Sequence, residues 1–64
     1  MEVWHKLREL RRAKGLKQRE VAALCSVSPA TYRRWEWGTL EPKLTQFVTL
    51  AAIFDVALEE LIDG

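Results

Sequence analysis

Residues 18–38 read QREVAALCSVSPATYRRWEWG, and this stretch decides the fold because it reads as two short helices joined by a tight turn. Ser28 followed by Pro29 is a strong helix start, since a serine hydroxyl caps free N–H groups and proline suits the first helical position. Gly38 ends the second helix because glycine adopts the left-handed conformation at no steric cost. Helices are therefore predicted over Lys17–Cys25 and Pro29–Trp37.

The second of these helices has an aromatic face and a basic face. Tyr32 and Trp35 are three residues apart, so they point the same way, which we take to be inward. Ala30, Arg33 and Arg34 share a different face. An arginine in a DNA groove can donate two hydrogen bonds to one guanine, so this face suits nucleic acid. Two arginines on an exposed helix also fit a role in solubility alone.

Outward from this stretch, the other segments also read as helices. Gly15 ends a first amphipathic helix, and Pro42 marks a loop because it disfavours helical geometry in the residue before it. No segment alternates apolar and polar residues with a period of two, so no strand is predicted. The remaining predicted helices span Glu2–Lys14, Leu44–Phe54 and, after a break at 55–57, a short turn containing Leu58, Leu61 and Ile62.

The apolar residues of the second and fourth helices predict where the core lies. Val21, Leu24 and Cys25 are expected on the buried side of the second helix, and Ala22 is small enough for another helix to cross closely. Apolar residues cover most of the circumference of the helix over 44–54, so we expect it to be the most buried element.

Length and composition bound the function. A chain of 64 residues suits one small domain and is too short for a deep substrate cavity. No apolar run approaches the roughly 18 residues of a membrane span. The single cysteine, Cys25, cannot form an internal disulfide, which favours a cytoplasmic location. Residues 1–38 carry nine Lys or Arg against four Asp or Glu, whereas residues 39–64 carry one against five, so only the first part suits a polyanion.

Catalysis and metal binding find no support in the residue pattern. His5 and Cys25 are far apart in the sequence, and a cysteine on a buried helix face behaves as a small hydrophobe. Glu59 and Glu60 point in adjacent directions on a helix and have no cleft between them. Neither a metal-ligand spacing nor a phosphate-binding glycine loop occurs, so we expect no enzyme activity, no metal and no cofactor.

An ordered set of residues along nearly the whole chain carries a family resemblance. These residues are Leu7, Arg11, Gly15, Leu16, Gln18, Val21, Ala22, Val27, Ser28, Trp35, Glu36, Gly38, Pro42 and Leu44, followed by FDVALEELI at 54–62. With this order and spacing, the chain resembles the phage repressor and Cro-type helix-turn-helix proteins, also called the Xre family. The resemblance implies a compact all-α, five-helix, lambda-repressor-like domain over residues 1–64, with the motif at 18–38 and the third helix in the major groove.

Four positions depart from the family pattern. Ser26 stands where the family usually has glycine, and a left-handed residue with a Cβ costs about 1 kcal/mol. Lys17 replaces a Ser or Thr cap, while Asp55 and Ala57 replace a typical Gly and a typical Ser or Asp before the last helix. Each departure costs local stability, and none lies on the face of the third helix that is expected to read bases.

The resemblance assigns DNA-contacting roles to individual residues. Arg34 matches a position that reaches bases, Arg33 matches one nearer the DNA backbone, and Thr31 can touch a thymine methyl or a phosphate. Gln18 matches a position that contacts the DNA backbone or helps to position the third helix, although glutamine is also common in a first helical turn. The full predicted set is Lys17, Gln18, Arg19, Ser28, Pro29, Ala30, Thr31, Arg33, Arg34, Thr39 and Lys43.

Four of these residues are assigned to the rim of the surface. Lys17, Arg19, Thr39 and Lys43 are candidate phosphate contacts, which set register and affinity without reading sequence. Each of them also fits plain solvated polar surface. Glu41 in the same loop argues against a strongly basic rim.

Arg11 and Glu36 are expected to be structural. In the family these positions usually form a largely buried ion pair that joins the first helix to the end of the third. Both residues adjoin core positions here, Leu10 and Trp35, which fits that role.

Three aromatic residues have no assigned DNA role. Trp37 occupies a position that is normally polar and exposed, and we expect its indole to cap the loop by folding over Leu40, with stacking on a partner as the alternative. Trp4 is expected to pack against the last helix and His5 to lie on the surface.

The sequence therefore predicts a sequence-specific, double-stranded DNA-binding transcriptional regulator. The resemblance favours a repressor that acts as a weak homodimer on a palindromic site, away from any membrane. Its dimer patch is expected near Val56, Leu58 and the corner between the fourth and fifth helices. The alternative is a protein-interaction module, for example an antitoxin-like partner, that keeps the fold with weak or no DNA binding; Trp37, Glu41 and the acidic second half suit it.

Overall fold

The computed structural model describes residues 3–62, with side chains from residue 6 onward, and that range contains five helices and no strand. The helices are α1 (Val3–Ala13), α2 (Gln18–Leu24), α3 (Pro29–Trp37), α4 (Leu44–Phe54) and α5 (Leu58–Ile62). The predicted bounds of α3 and α4 are confirmed, while α2 is one residue shorter at each end than predicted. Along residues 3–62, no helix has the length and apolar character needed to cross a membrane. The expectations for Trp4 and His5 lie outside the described side chains.

Left-handed residues end the helices where the sequence predicted breaks. Gly15 and Gly38 have φ values of 69° and 79°, which glycine adopts without strain. Ser26 and Asp55 adopt φ values of 58° and 57° despite carrying a Cβ. The turn between α2 and α3 therefore keeps the conformation in which the family usually has glycine, at the local cost expected for serine.

The start of α2 is completed by a glutamate rather than by its first residue. Lys17 has an extended backbone at the cap position, and its side chain offers no acceptor. The Glu20 carboxylate instead accepts a hydrogen bond from the Lys17 backbone N–H at 2.7 Å. The same arrangement recurs at α4, where Gln46 accepts from the Lys43 N–H at 2.7 Å. Half of a capping box thus compensates for the missing Ser or Thr.

The core lies where the five helices meet. Its centre is an edge-to-face pair of Tyr32 and Trp35, with ring centroids 5.8 Å apart and an interplanar angle of 71°. Both α3 aromatics therefore point inward, as predicted. The buried apolar side chains are Leu7, Val21, Ala22, Tyr32, Trp35, Phe47, Leu50, Ala51, Phe54 and Leu61.

Three leucine and valine side chains expected in the core lie outside it. Leu24 is 58% exposed, Leu44 63% and Val48 51%. The α4 helix buries the side made by Phe47, Leu50, Ala51 and Phe54, more residues than any other helix buries among the described side chains, as predicted, while its opposite side is exposed. A domain of this size has too few elements to cover every face of an apolar helix.

A shallow apolar groove of about 270 Å³ opens where α4 meets α5 and the loop before α4. The lining residues of this apolar groove are Glu41, Pro42, Leu44, Phe47, Leu61 and Ile62. The expected dimer patch included this corner together with Val56 and Leu58, and those two side chains are partly buried and packed against the core. The exposed apolar side chains near the groove are Leu44 and Val48 on α4 and Ile62, 42% exposed, on α5.

Candidate nucleic-acid interface

The first turn of α3 is fixed by its serine cap. The Ser28 backbone is extended, and its Oγ accepts a hydrogen bond from the Thr31 backbone N–H at 3.1 Å. The Ser28 hydroxyl also donates to Thr31 Oγ1 at 3.0 Å. Thr31 therefore uses its oxygen as an acceptor and keeps its own O–H free to donate to a ligand. Pro29 at the first helical position presets the backbone, so the helix starts where the sequence indicated.

The face of α3 that carries the arginines points away from the core. Ala30 and Arg34 are exposed and Arg33 is half-buried, whereas Tyr32 and Trp35 on the other side are buried. The separation of the two faces leaves two guanidinium groups available on one side of a short helix. An α-helix of this diameter fits the major groove of B-DNA, about 12 Å wide.

A polar groove of about 430 Å³ lies beside this face, where the starts of α2 and α3 come together. Its lining residues are Lys17, Gln18, Arg19, Pro29 and Arg33. All five belong to the set predicted from the sequence, although they come from two segments about ten residues apart. The fold thus brings three cationic side chains to one open depression, which suits the negative charge of a phosphate backbone.

A buried ion pair holds the end of α3 against α1, as predicted. Arg11 Nε donates to Glu36 Oε2 at 2.7 Å, and Arg11 Nη2 donates to Glu36 Oε1 at 3.3 Å. The Glu36 side chain is only 2% exposed. Arg11 Nη1 donates to the Leu16 carbonyl at 3.0 Å, which ties the loop after α1 into the same network.

Gln18 joins this network to the polar groove. Its Nε2 donates to Glu36 Oε1 at 3.1 Å, so the first residue of α2 is bonded directly to the last turn of α3. Of the two roles expected for Gln18, this hydrogen bond supports the positioning of α3. The bond was not predicted because it depends on where two distant segments meet, which residue type alone does not determine.

The ionisation of Glu36 depends on its partners. Burial acts to raise the pKa of Glu36, but hydrogen bonding, first of all from Arg11, outweighs burial and holds this pKa below its usual value. Burial raises the pKa of Tyr32 far above its usual value, and the nearby Glu36 carboxylate adds to the rise. Tyr32 Oη has no hydrogen-bond partner of acceptable geometry among the described residues. The tyrosine is therefore a neutral core residue facing a charged pair.

The rim residues after α3 lie at the other end of the helix. Thr39 is bonded to the last turn, its backbone N–H donating to the Arg34 carbonyl at 3.0 Å and its hydroxyl to the same oxygen at 3.4 Å. Lys43 is exposed at the start of α4. Neither residue lines the polar groove, so the predicted set divides into a cluster at the helix starts and a separate rim.

Trp37 departs from its sequence prediction. The side chain is 65% exposed and Leu40 is 39% exposed, so most of the indole lies in solvent and is not buried against the loop. A signal was available in the sequence, because Trp37 follows Ala30 by seven residues and Arg34 by three and therefore shares their face.

The lone cysteine is chemically quiet. Cys25 is half-buried at the end of α2, and burial raises the pKa of its thiol. Because the thiolate is the nucleophile, a raised pKa lowers the reactivity of Cys25 at neutral pH. Within the described part of the chain, no group of three or more His, Cys, Asp or Glu side chains could hold a metal ion.

The arrangement of α2, turn, capped α3 and exposed basic face defines a helix-turn-helix domain. The family model described as helix-turn-helix matches residues 7–61, so the chain belongs to this family. Among curated relatives, the chain is similar to the cryptic phage CTXphi transcriptional repressor RstR of Vibrio cholerae. The two are 40% identical over 57 residues, which cover 89% of this chain and 51% of the repressor.

Two further relatives extend across the whole chain. The HTH-type transcriptional activator BcrR of Enterococcus faecalis is 33% identical over 64 residues, which are 31% of its length. The HTH-type transcriptional regulator DdrOP3 of Deinococcus deserti is 28% identical over 64 residues, which are 50% of its length. The chain thus spans about half or less of each of these relatives.

Proposed function

We propose that this chain is a sequence-specific, double-stranded DNA-binding transcriptional regulator that places α3 in the major groove. The observation that carries the proposal is the convergence of five sequence-predicted contact residues in one open polar groove beside the exposed face of α3. Family membership over residues 7–61 and the names of the three relatives point the same way.

The proposed roles follow from position and chemistry. Arg34 is exposed on α3 and reads bases, while Arg33 lies at the polar groove and contacts the backbone. Thr31 uses its free O–H toward a phosphate or its methyl toward a thymine methyl. Gln18 contacts the backbone from a position fixed by Glu36. The remaining backbone contacts are Lys17, Arg19, Ser28, Pro29, Thr39 and Lys43, with Ala30 leaving room for a base edge.

The proposal extends to the direction of regulation and the oligomeric state: a repressor that acts as a homodimer. The relatives include an activator as well as a repressor, so the sign of regulation does not follow from similarity. We propose repression because a domain that binds DNA excludes other proteins from the site it covers. The domain extends 25 × 23 × 19 Å, so one copy reaches one half-site, and a second copy supplies the other about 34–36 Å away.

The surface proposed for the homodimer is the apolar groove with its exposed neighbours Leu44, Val48 and Ile62. These side chains are available on the surface, unlike Val56 and Leu58. A regulator of this kind works where the DNA is, which we propose is the cytoplasm.

The decisive experiment is fluorescence anisotropy of the protein with a labelled mixed-sequence duplex across a range of salt concentrations. A DNA-binding domain loses affinity steeply and log-linearly with salt, because each neutralised phosphate releases a counterion. Absence of binding at about 50 mM salt contradicts the proposal. Selection of bound sites from random duplexes then identifies the operator.

The second candidate function is a protein-interaction module. The observation that favours it is the open apolar groove, which lies apart from the polar groove and is lined largely by apolar side chains. In that case the duplex fails to bind at low salt, whereas substitution of Leu44 or Ile62 abolishes capture of the protein partner.

A further inference from the structure

The last residue of α3 combines a large aromatic side chain with high exposure. Trp37 is 65% exposed, whereas Trp35, two residues earlier, is 1% exposed. Leaving most of an indole in water forfeits much of the burial that normally places tryptophan inside, so core packing does not account for a tryptophan at this position.

Helical geometry places Trp37 on the face that carries the arginines. Successive residues of an α-helix rotate by about 100°, so Trp37 lies within about 20° of Ala30 and about 60° of Arg34 around the axis. The buried residues Tyr32 and Trp35 lie on the opposite side. Trp37 thus stands near the middle of the outward face, about 10 Å along the axis from Ala30.

The backbone around Trp37 is held firmly. Gly38 closes the helix in the left-handed conformation, with φ of 79°. The Arg34 carbonyl accepts from the backbone N–H groups of Thr39 and Leu40 at 3.0 and 3.3 Å. Trp37 is therefore fixed between Arg34 and Thr39, two residues already proposed to contact DNA.

We infer that Trp37 is a further DNA-contacting residue at the wall of the major groove. Its indole Nε1–H donates a hydrogen bond to a phosphate oxygen while the ring packs against the adjacent deoxyribose. The separation of about 10 Å along the axis puts Trp37 at the far end of α3 from Ala30 and beside Thr39, which is proposed to contact the DNA backbone. The inference rests on the proposed DNA-binding function.

The chemistry of the face favours DNA over a protein partner. Two arginines, Arg33 and Arg34, share the outward side of α3 with Trp37, and a cationic face is complementary to phosphate. An indole adds an apolar surface together with one N–H donor and no acceptor, which suits a phosphate oxygen.

The test compares Trp37→Ala and Trp37→Phe with wild type by duplex anisotropy at several salt concentrations. Trp37→Ala is expected to weaken binding about tenfold and Trp37→Phe about threefold, because phenylalanine keeps the ring contact and loses the N–H. The slope of log affinity against log salt stays unchanged, since a neutral side chain releases no counterion. Leu24→Ala is the matched control, because Leu24 is an exposed apolar residue, 58% exposed, on α2.

A spectroscopic measurement reports on Trp37 directly. The difference between wild-type and Trp37→Phe emission isolates its fluorescence, which is expected to be quenched and shifted when duplex is added. Thermal melting of each variant checks that the fold is intact, and the exposure of the side chain makes a loss of folding unexpected.

Three outcomes separate this inference from the proposed function. If wild type binds no duplex at about 50 mM salt, the proposed function fails and the inference fails with it. If wild type binds and Trp37→Ala binds equally well, only the inference fails. If sedimentation without DNA shows that Trp37→Ala has lost self-association, the residue belongs to a protein interface, and the inference is overturned.

Discussion

The two grooves of this domain are made in different ways. The polar groove, about 430 Å³, collects charged residues from the starts of α2 and α3. The apolar groove, about 270 Å³, has the core residues Phe47 and Leu61 in its lining, together with the exposed side chains of Leu44 and Ile62. Residue types in the sequence indicate where helices start and where charges lie. They do not indicate which apolar side chains stay exposed. The residues of the polar groove were therefore predictable from the sequence. For the apolar groove, the sequence indicated the corner between α4 and α5 but not the exposed residues.

The largest expected effect is on the free energy of unfolding, when the Arg11–Glu36 ion pair behind the polar groove is removed. Arg11→Ala leaves the Glu36 carboxylate buried, with a side chain 2% exposed and no cation beside it. Stripping one partner from a buried ion pair destabilises a protein by about 3–5 kcal/mol. Chemical and thermal denaturation followed by circular dichroism measure the change.

Arg12→Ala is the matched control for this experiment, since Arg12 is the exposed neighbour of Arg11 on the same helix. Its stability should stay within about 0.5 kcal/mol of wild type. Equal unfolding free energies for the two variants would falsify the structural role of the ion pair.

Acid should weaken the same Arg11–Glu36 ion pair and so lower the stability of the fold. Hydrogen bonding from Arg11 holds the folded pKa of Glu36 below its ordinary value, and burial opposes this. A lowered folded pKa means that the stabilisation is complete above the unfolded pKa and is lost as pH falls through the folded pKa. Stability should therefore decline below about pH 4.5, the ordinary value for this carboxyl.

Denaturant unfolding across pH 2–7, for wild type and Glu36→Gln, isolates this contribution. The variant has no titrating group at the position, so its stability should vary less with pH across the acid range. Parallel pH profiles for the two proteins would show that other carboxylates cause the decline.

Much of the support for the polar groove could be predicted, and for identifiable reasons. Ser28 and Pro29 fix the start of α3 through local chemistry, so its first residue was correct. The Arg11–Glu36 pair followed from family resemblance, and both hydrogen bonds are present. The bond from Gln18 to Glu36 was beyond reach, because it depends on how two helices cross.

The errors on the apolar side share one physical cause. Leu44 and Val48 are apolar residues on an apolar helix, and composition does not say which side of such a helix finds a neighbour. The same reasoning placed Leu24 inside, although its side chain is 58% exposed. Burial is set by the number and placement of packing helices, which residue type alone does not encode.

The next largest effect concerns how Arg33 and Arg34, on and beside the polar groove, contribute to DNA binding. Arg34→Ala should weaken binding to a selected operator by about 1–3 kcal/mol and binding to random duplex by less, because a base contact is lost. Arg33→Ala should weaken binding to both duplexes about equally, because a phosphate contact is lost. The slope of log affinity against log salt concentration should fall by about one. Anisotropy titrations with the two duplexes distinguish these patterns.

Arg12→Ala again removes one exposed positive charge, this time away from α3, and serves as the charge-matched control. An Arg34→Ala variant that loses no more affinity than this control would place base reading elsewhere on the surface. It would leave general DNA binding intact.

A smaller effect is expected at the apolar groove. Leu44→Gln and Val48→Gln should each weaken self-association about three- to tenfold, because an exposed apolar side chain no longer enters a dry interface. Their folding stability should change by less than about 0.5 kcal/mol, since both side chains are more than half exposed at 63% and 51%. Sedimentation velocity measures the first quantity and urea unfolding the second.

Leu24→Gln is the control for this pair, being 58% exposed on α2, apart from the apolar groove. If it weakens self-association as much as Leu44→Gln, the proposed dimer surface is wrong. Unchanged association in both groove variants would lead to the same conclusion.

The smallest effects are expected on stability when the two non-glycine residues with left-handed backbones are replaced. One lies in the turn beside the polar groove and the other lies before α5. Ser26 precedes α3 with φ of 58°, and Asp55 precedes α5 with φ of 57°. Ser26→Gly should stabilise the fold by somewhat less than about 1 kcal/mol, because relief of left-handed strain exceeds the extra flexibility that glycine gives the unfolded chain. Asp55→Gly should gain less, since aspartate tolerates the left-handed region better than serine. Ser26→Ala keeps the Cβ and should gain nothing. If alanine stabilised the turn as well as glycine, backbone strain at Ser26 would not be the cause, and the serine hydroxyl would have to be the destabilising group.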